Sequence, residues 1–219
     1  MSGLFSQWGQ DLPSLLHGLL LSIEVTGASL GIGLPVGFWL ALMASSNRRR
    51  VSLPTIAVVE VGRGLPALVV LEFVYFGGPN IGVKLAAVAA AIIALAWNTA
   101  AYTSEIFRGG FLAVPKGMRE AALALGLSDV HTFRHVILPE GLRIALPGLM
   151  GWAIVTFQGT SLAFTIGVPE LLSHAYEIAS VNFLYLDVLS LVGLLYAAIA
   201  VPGAWLVRYT ERRLGAAPM

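Results

Sequence analysis

Hydrophobic residues fill five runs along this chain, and shorter polar or glycine- and proline-rich stretches separate them. A helix that crosses a bilayer needs about 20 mostly apolar residues. We therefore predict five membrane-spanning helices, at about Leu15–Ala44, Leu65–Phe76, Val83–Phe107, Ile144–Ile166 and Leu186–Val207. The second run is short, and glycine and proline on both sides interrupt it. A helix from Leu53 to Val61 precedes it and is expected to lie partly in the membrane.

Glycine recurs along the first predicted span. Gly27 with Gly31, and Gly33 with Gly37, form two pairs with a spacing of four residues. Small residues at this spacing let the backbones of two membrane helices approach closely. We therefore expect both pairs to pack against another helix.

The composition agrees with a membrane setting. Of 219 residues, 57% are hydrophobic and 11% are charged, whereas soluble domains carry roughly 25% charged residues. The chain has no cysteine, which excludes disulfides, thiolate metal sites and thiol catalysis. The first basic residue is Arg48, so we expect no cleaved signal peptide. The sequence predicts an all-α membrane protein in which residues 1–219 form one domain.

The basic residues predict the orientation in the membrane. With five spans, all but one of them fall on the same side: Arg48, Arg49, Arg50, Arg63, Arg108, Lys116, Arg119, Arg134, Arg143, Arg208, Arg212 and Arg213. Only Lys84 falls on the other side. Because cytoplasmic loops carry an excess of Lys and Arg, we expect the N-terminus outside and the C-terminus in the cytoplasm.

One long polar stretch, Glu120–Leu142, lies between the third and fourth spans. Strong helix formers at 119–125 followed by Gly126 predict a short helix that ends at the glycine. Ser128 can cap a second short helix, with Asp129 favourably placed in its first turn. Alanine and leucine at 121–125 would give the first helix an apolar surface, which suggests that another protein covers it.

This stretch resembles the EAA loop of bacterial ABC importer permeases. The loop motif reads here as Glu120-Ala121-Ala122, then Gly126, then Val136 in an isoleucine position, then Leu138-Pro139. VEVGRGLP at 59–66, NTAAYTSEIFRGG at 98–110 and TSLAFTIGVPEL at 160–171 are similar to motifs of the branch that carries polar amino acids. The resemblance runs from about Leu15 to the C-terminus.

The resemblance implies a permease subunit that does not itself hydrolyse ATP. Two permease chains would form the translocation path, two cytoplasmic ATPases would bind ATP and Mg²⁺ and drive it, and an extracytoplasmic binding protein would deliver the solute. We call residues 115–139 the coupling loop. The positions that would meet the ATPase are Glu120, Ala121, Ala122, Gly126, Leu138 and Pro139. The chain has no GxxxxGK[ST] motif, so no P-loop of its own is predicted, and we expect it to bind no cofactor.

The chain departs from the family pattern at Gln158-Gly159, where the family usually has Lys-Asp. In the family this charged pair is placed to meet the charged ends of an amino acid. Two explanations remain open. This chain is the non-binding half of a heterodimer, or the solute differs from a standard polar amino acid, for example a zwitterionic compatible solute or an opine-like compound.

Several polar residues inside the predicted spans are candidates for the solute path. A run of hydroxyls and an amide around Gly159 predicts a helix break at membrane depth, where transporters often bind solute through freed backbone groups. The candidates are Glu72, Asn98, Tyr102, Gln158, Thr160 and Ser161. Glu72 could instead lie near the outer interface or pair with Lys84, and Asn98 and Tyr102 could serve only in helix packing.

Other charged and ionisable residues have plainer interpretations. Glu60, Arg63, Glu105 and Arg108 are predicted to form a structural or gating charge network. His131 and His135 could share a helix face, but a zinc site would need a third ligand, so we expect surface histidines.

A rival hypothesis is a self-contained transporter or channel driven by an ion gradient. Its ion sites would be Glu24, Glu72 and Glu105, because ionisable groups inside membrane spans are often functional. Transport by the chain alone, abolished by an ionophore, would favour it.

Overall fold

The computed structural model describes the backbone of residues 2–214 and the side chains of residues 8–9, 11–181 and 183–214. In this part of the chain all regular structure is helical. The nine α-helices are α1 (Ser2–Ala44), α2 (Arg49–Gly64), α3 (Ala67–Gly77), α4 (Ala87–Ala113), α5 (Lys116–Ala124), α6 (Asp129–Thr132), α7 (Leu138–Gly159), α8 (Leu171–Asn182) and α9 (Tyr185–Leu214). Short 3₁₀ helices follow α3 (Gly78–Ile81) and α7 (Thr160–Ile166), and a π-helical turn (Phe133–Ile137) joins α6 to α7.

Among the described residues, four helical stretches are long and apolar enough to cross a membrane. They are Asp11–Ala44, Ala87–Ala113, Asp129–Ile166 and Tyr185–Leu214, and the shorter apolar stretch Ala67–Ile81 corresponds to the predicted second span. The all-α class is therefore confirmed, and so are four full spans with one short one. The predicted helix at Leu53–Val61 is also present, as part of α2.

At the two ends of the chain the helices extend beyond the predicted spans. α1 begins at Ser2 rather than near Leu15, and α9 continues past Val207 to Leu214. Hydropathy marks where a helix can enter lipid, whereas the backbone hydrogen bonds continue into polar residues with adequate helix propensity. Arg212 and Arg213 in the last turn of α9 also interact favourably with the helix dipole.

The centre of the bundle is the packing of α1 against α4. A Cβ at Gly33 would lie 2.6 Å from the Thr99 side chain, and one at Gly37 would lie 2.8 Å from the carbonyl oxygen of Ala100. Both glycines are therefore required for the close approach of the two helices, which confirms the second predicted pair.

The first glycine pair does not have the predicted role within this chain. A Cβ at Gly27 or at Gly31 would meet nothing within 4 Å. Because each helical residue turns by about 100°, Gly31 lies about 200° around the axis from Gly33 and faces away from α4. A spacing of four residues alone therefore does not show which glycine pair meets another helix.

Candidate coupling loop and solute path

The coupling loop folds as the sequence predicts. α5 ends at Ala124, and the amide of Leu127 donates to the carbonyl of Ala122 at 3.1 Å while the amide of Gly126 donates to Leu123 at 2.9 Å. These two bonds satisfy carbonyls at the end of the helix and require a left-handed residue. Gly126 supplies it with φ of 75°. This explains physically why a glycine stands at this position.

The second half of the coupling loop runs directly into α7. Ser128 caps α6, with its Oγ accepting from the amide of His131 at 3.4 Å. The π-helical turn then leads without a break to Leu138, the first residue of α7, with Pro139 exposed in the first turn. The rings of Phe111 and Phe133 meet at 5.6 Å, and Leu138 packs in the same cluster. The coupling loop is therefore joined to α4 and α7 through packed side chains.

α5 is also held to the end of α4. The guanidinium of Arg119 donates to the backbone carbonyl of Phe111. Ala122 is buried against the rest of the chain, while Glu120 and Ala121 are exposed. Only Ala121 of the two alanines can therefore permit close approach of a partner, which corrects the expectation for Ala122. The two alanines differ because adjacent helical residues point about 100° apart.

An apolar patch covers the outward face of the coupling loop. Leu123 is 56% exposed, Leu125 is 81% exposed and Val130 is 73% exposed. Large apolar side chains that are exposed on a polar loop are typical of interaction surfaces. Leu123 and Leu125 belong to the apolar surface that the sequence predicts at 121–125, and contact of this surface with a partner stays a prediction.

The two histidines lie on this surface as a local pair. Their rings are parallel with centroids 5.8 Å apart. His131 Nδ1 lies 2.8 Å from Ser128 Oγ, and His135 Nδ1 lies 3.0 Å from the carbonyl of His131. Within the described residues, no cluster of three His, Asp or Glu side chains is arranged to hold a metal ion.

A second set of polar residues joins α2, α4 and α7. The Tyr102 ring stacks on Trp152 with centroids 4.2 Å apart, and the Arg63 guanidinium lies 5.7 Å from the Tyr102 ring on α4. The Tyr102 hydroxyl donates to the backbone carbonyl of Arg63 at 3.0 Å. On the preceding turn of α4, Thr99 Oγ1 lies 3.3 Å from Thr156 Oγ1 and accepts from Trp152 Nε1 at 3.4 Å. Sequence reasoning did not single out Thr99 or Trp152, because their roles depend on how α4 meets α7.

The predicted charge network lies next to this stack. Arg63 pairs with Glu60 at 3.2 Å, and the Arg108 guanidinium makes a double hydrogen bond to the Glu105 carboxylate. Arg63 also acts electrostatically on Glu105, and Glu60 acts on Arg108. The structure therefore brings all four charges together at one end of α2 and α4. Their role in gating remains a prediction.

The remaining candidates for the solute path differ in their exposure to solvent. Asn98, one turn before Tyr102, is half-buried, and Gln158 is exposed. Neither amide has a side-chain hydrogen-bond partner among the described residues, so both can accept new ones. An apolar groove of about 510 Å³ between α3 and α4 has Phe73 and Trp97 on its walls. None of the six predicted path residues lines this groove, so it does not suit a polar solute.

The helix break near Gly159 differs from the expected one. α7 ends at Gly159, but the chain tightens into a 3₁₀ helix without a gap. The hydroxyls of Thr160 and Ser161 donate to the carbonyls of Phe157 and Gln158, at 2.7 and 2.8 Å. Thr160 is also fully buried. The expectation that Thr160 faces an open path is therefore wrong, because local hydrogen bonds use its hydroxyl and satisfy the backbone that a break would free.

Glu72 and Lys84 do not form the ion pair that the sequence allows. Glu72 is half-buried on α3, and Lys84 is exposed ahead of α4. No ion pair joins them among the described residues, because an exposed lysine gains little from leaving water. Glu24 is exposed on α1, in agreement with an interfacial position.

The most deeply buried acidic side chain is one that sequence reasoning missed. Glu170 is 0% exposed and caps α8, accepting from the amides of Leu172 and Ser173 at 3.0 and 2.8 Å. The Tyr196 hydroxyl of α9 donates to it at 3.2 Å, and Ser22 of α1 donates at 3.5 Å. Three helices therefore meet at one carboxyl group.

Burial raises the pKa of the Glu170 carboxyl, and the hydrogen bonds from Leu172 and Ser173 only partly oppose this effect. Glutamate is not a favoured capping residue, so its position ahead of α8 gave little signal. The segment that Glu170 caps is a packed helix, since Leu171 and Ala175 of α8 are buried against Leu15.

Comparisons with known proteins agree with one another. Residues 33–216 match the family model described as "Binding-protein-dependent transport system inner membrane component". The glutamine transport system permease protein GlnP of Escherichia coli is 35% identical over 205 residues, which are 93% of this chain and 94% of that protein. The octopine transport system permease protein OccM of Rhizobium radiobacter is 36% identical over 196 residues, which are 85% of this chain and 80% of that protein. A crystal structure of an amino acid ABC transporter with histidines superposes with a TM-score of 0.90 at 32% identity, covering 95% of this chain and 98% of that one.

Proposed function

The chain belongs to the family of binding-protein-dependent transport system inner membrane components, which makes it a permease subunit of an ABC importer, and we propose that its cargo is a polar amino acid or a related small polar solute. The similarity to a glutamine permease and to an octopine permease supports this class of cargo. The family also makes it a multi-pass protein of the inner membrane. The rival of an ion-driven transporter has no observation in its favour.

The coupling loop is the proposed contact with a separate ATPase, which would bind ATP and Mg²⁺ in place of this chain. The observation that carries this proposal is the exposed patch of Leu123, Leu125 and Val130 on a loop that is packed into α4 and α7. An apolar patch of this kind is stabilised when a partner covers it. Rigid-body movement of the loop would then move two spans at once.

The proposed orientation places this loop in the cytoplasm and the N-terminus outside. The charges of the loop and of the helix ends beside it support this orientation, since Lys116, Arg119 and Arg134 all lie in it. α8 then lies at the opposite, outer end of the bundle. The extracytoplasmic binding protein of the proposal would approach from that end.

The solute path is proposed to involve Glu72, Asn98, Tyr102, Gln158 and Ser161, but not the buried Thr160. The free amides of Asn98 and Gln158 support this, because an amide offers both a donor and an acceptor to a zwitterion. This chain has a neutral Gln158 where the family usually has the lysine of a Lys-Asp pair. The proposal therefore assigns the Lys-Asp pair to a second, different permease chain. A homodimer that carries an opine-like solute is the alternative.

A substitution at Gly126 tests the contact with the ATPase. Gly126 has a positive φ, so Gly126→Asp strains the turn and adds a charge next to the apolar patch. We expect this variant to insert into the membrane normally and to lose co-purification of the ATPase.

The matched control is Gly117→Asp in the first turn of α5. A Cβ there meets nothing within 4 Å, and an acidic residue in this turn suits the helix dipole. The control is expected to retain the ATPase. If Gly126→Asp retains the ATPase equally well, the coupling loop is not the contact with the ATPase. Normal binding of the ATPase together with transport of a different cargo would contradict only the choice of solute.

A further inference from the structure

The end of α9 carries a basic and aromatic surface that the proposed function does not use. Trp205, Arg208, Tyr209 and Arg212 line a groove of about 330 Å³. Their spacing of three, four and seven residues places them on one face of the helix. We call these four residues the α9 groove.

The charges of the α9 groove are not neutralised within the protein. Both Arg208 and Arg212 are exposed, and neither forms an ion pair with any of the described residues. The guanidinium of Arg213 lies 5.1 Å from the Tyr209 ring and adds a third positive charge beside the groove. Two guanidiniums on adjacent turns can share the oxygens of one phosphate group.

The face of α9 that precedes the groove carries exposed apolar side chains. Leu194 is 56% exposed, Val201 is 45% exposed and Trp205 is 63% exposed, and all lie on the helix face that continues to Arg208. The distance along the helix from Leu194 to Arg208 is about 21 Å, at 1.5 Å per residue. A long apolar strip that ends in exposed tryptophan and arginine has the shape and polarity of one lipid molecule, with acyl chains followed by a headgroup.

We propose that the α9 groove binds the phosphate headgroup of an anionic phospholipid, with the acyl chains along the face of α9 that carries Leu194 and Val201. Exposed Trp and Tyr side chains favour the level of the headgroups, and basic pockets at the ends of membrane helices bind anionic headgroups. The position of the groove at the end of a largely exposed span distinguishes it from the coupling loop, whose patch is apolar.

Tryptophan fluorescence tests the proposal directly. The full-length chain is reconstituted in bilayers that contain either dibrominated phosphatidylglycerol or dibrominated phosphatidylcholine, and quenching is measured. The signal of Trp205 is obtained as the difference between the wild-type chain and Trp205→Phe. We expect phosphatidylglycerol to be preferred over phosphatidylcholine by at least about fivefold, which corresponds to about 1 kcal/mol for one arginine near a headgroup.

Paired substitutions separate a specific site from the general surface charge. In the double variant Arg208→Gln with Arg212→Gln, the ratio of the preference for phosphatidylglycerol to that for phosphatidylcholine should fall close to one. The control pair, Arg49→Gln with Arg50→Gln, removes the same charge from exposed arginines outside the groove and should leave the preference intact.

Three results would overturn the proposal. Equal quenching by the two lipids in the wild-type chain would do so without any variant. An equal loss of the preference for phosphatidylglycerol in the two double variants would mean that only the overall surface charge attracts the lipid. Absence of quenching of Trp205 by either lipid, when the measurement is repeated on the chain reconstituted together with its partners, would mean that a protein partner covers the groove.

Discussion

Replacing the buried Glu170 with alanine should destabilise the outer end of the bundle. The carboxyl group caps α8 through the amides of Leu172 and Ser173 and receives the Tyr196 hydroxyl of α9. Loss of a helix cap costs about 1 kcal/mol. Loss of a buried hydrogen bond to a carboxyl group adds about 2 kcal/mol. The expected decrease in the free energy of unfolding is therefore about 3 kcal/mol.

The assay is thermal unfolding of the purified chain in mild detergent, with size-exclusion chromatography as the readout. For a chain of this size, about 3 kcal/mol lowers the melting temperature by about 6–12 °C. The control is Glu177→Ala on the same helix, where the side chain is 69% exposed and its ion pair with His174 spans 3.7 Å. This control should change the melting temperature little. Equal melting temperatures for Glu170→Ala and Glu177→Ala would refute the reasoning.

The pH dependence gives a second test at the same position. Burial raises the pKa of Glu170 in the folded protein above the unfolded value of about 4.3. The folded state therefore holds the proton more tightly. The stability that this group contributes is fully present below pH about 4.3 and is lost as pH rises through the raised folded pKa. Acidification from neutral pH should stabilise the wild-type chain relative to Glu170→Gln, and a constant difference across pH would contradict the raised pKa.

Three further predictions concern the helix contacts and the path. Gly37→Val should separate α1 from α4 and reduce the yield of folded protein, whereas Gly27→Val, where a Cβ meets open space, should be tolerated; chromatographic yield distinguishes them. Tyr102→Phe removes a hydrogen bond to Arg63 but keeps the stacked ring, so it should cost only about 1 kcal/mol in thermal stability. Glu72→Gln should alter the rate or the solute preference of uptake, and unchanged uptake of several solutes would remove Glu72 from the path.

The features predicted well from the sequence are those set by local interactions. The spans follow from runs of apolar residues, and the coupling loop follows from helix formers, Gly126 and Ser128. Each of these depends on residues within a few positions of one another. The Glu60–Arg63 and Glu105–Arg108 pairs were also within reach, because residues three apart share a helix face.

The features that could not be predicted depend on how the helices rotate and pack. Gly31 and Gly33 look alike in sequence, yet only Gly33 meets α4. Thr160 resembled an open polar residue, yet it is buried and bonded to its own helix. The burial of Glu170 has no local signal, because its partners Ser22 and Tyr196 lie far away along the chain. A single sequence gives no measure of such distant contacts.

The most direct test of the central claim is affinity purification of the tagged chain from its native membrane in mild detergent, with mass spectrometry of the proteins that accompany it. The account predicts a P-loop ATPase together with a second permease that carries Lys-Asp ahead of its TSL motif, where this chain has Gln158-Gly159. An ATPase with only this permease would retain the importer and contradict the heterodimer. Absence of any ATPase, with uptake by the chain alone that an ionophore abolishes, would contradict the account.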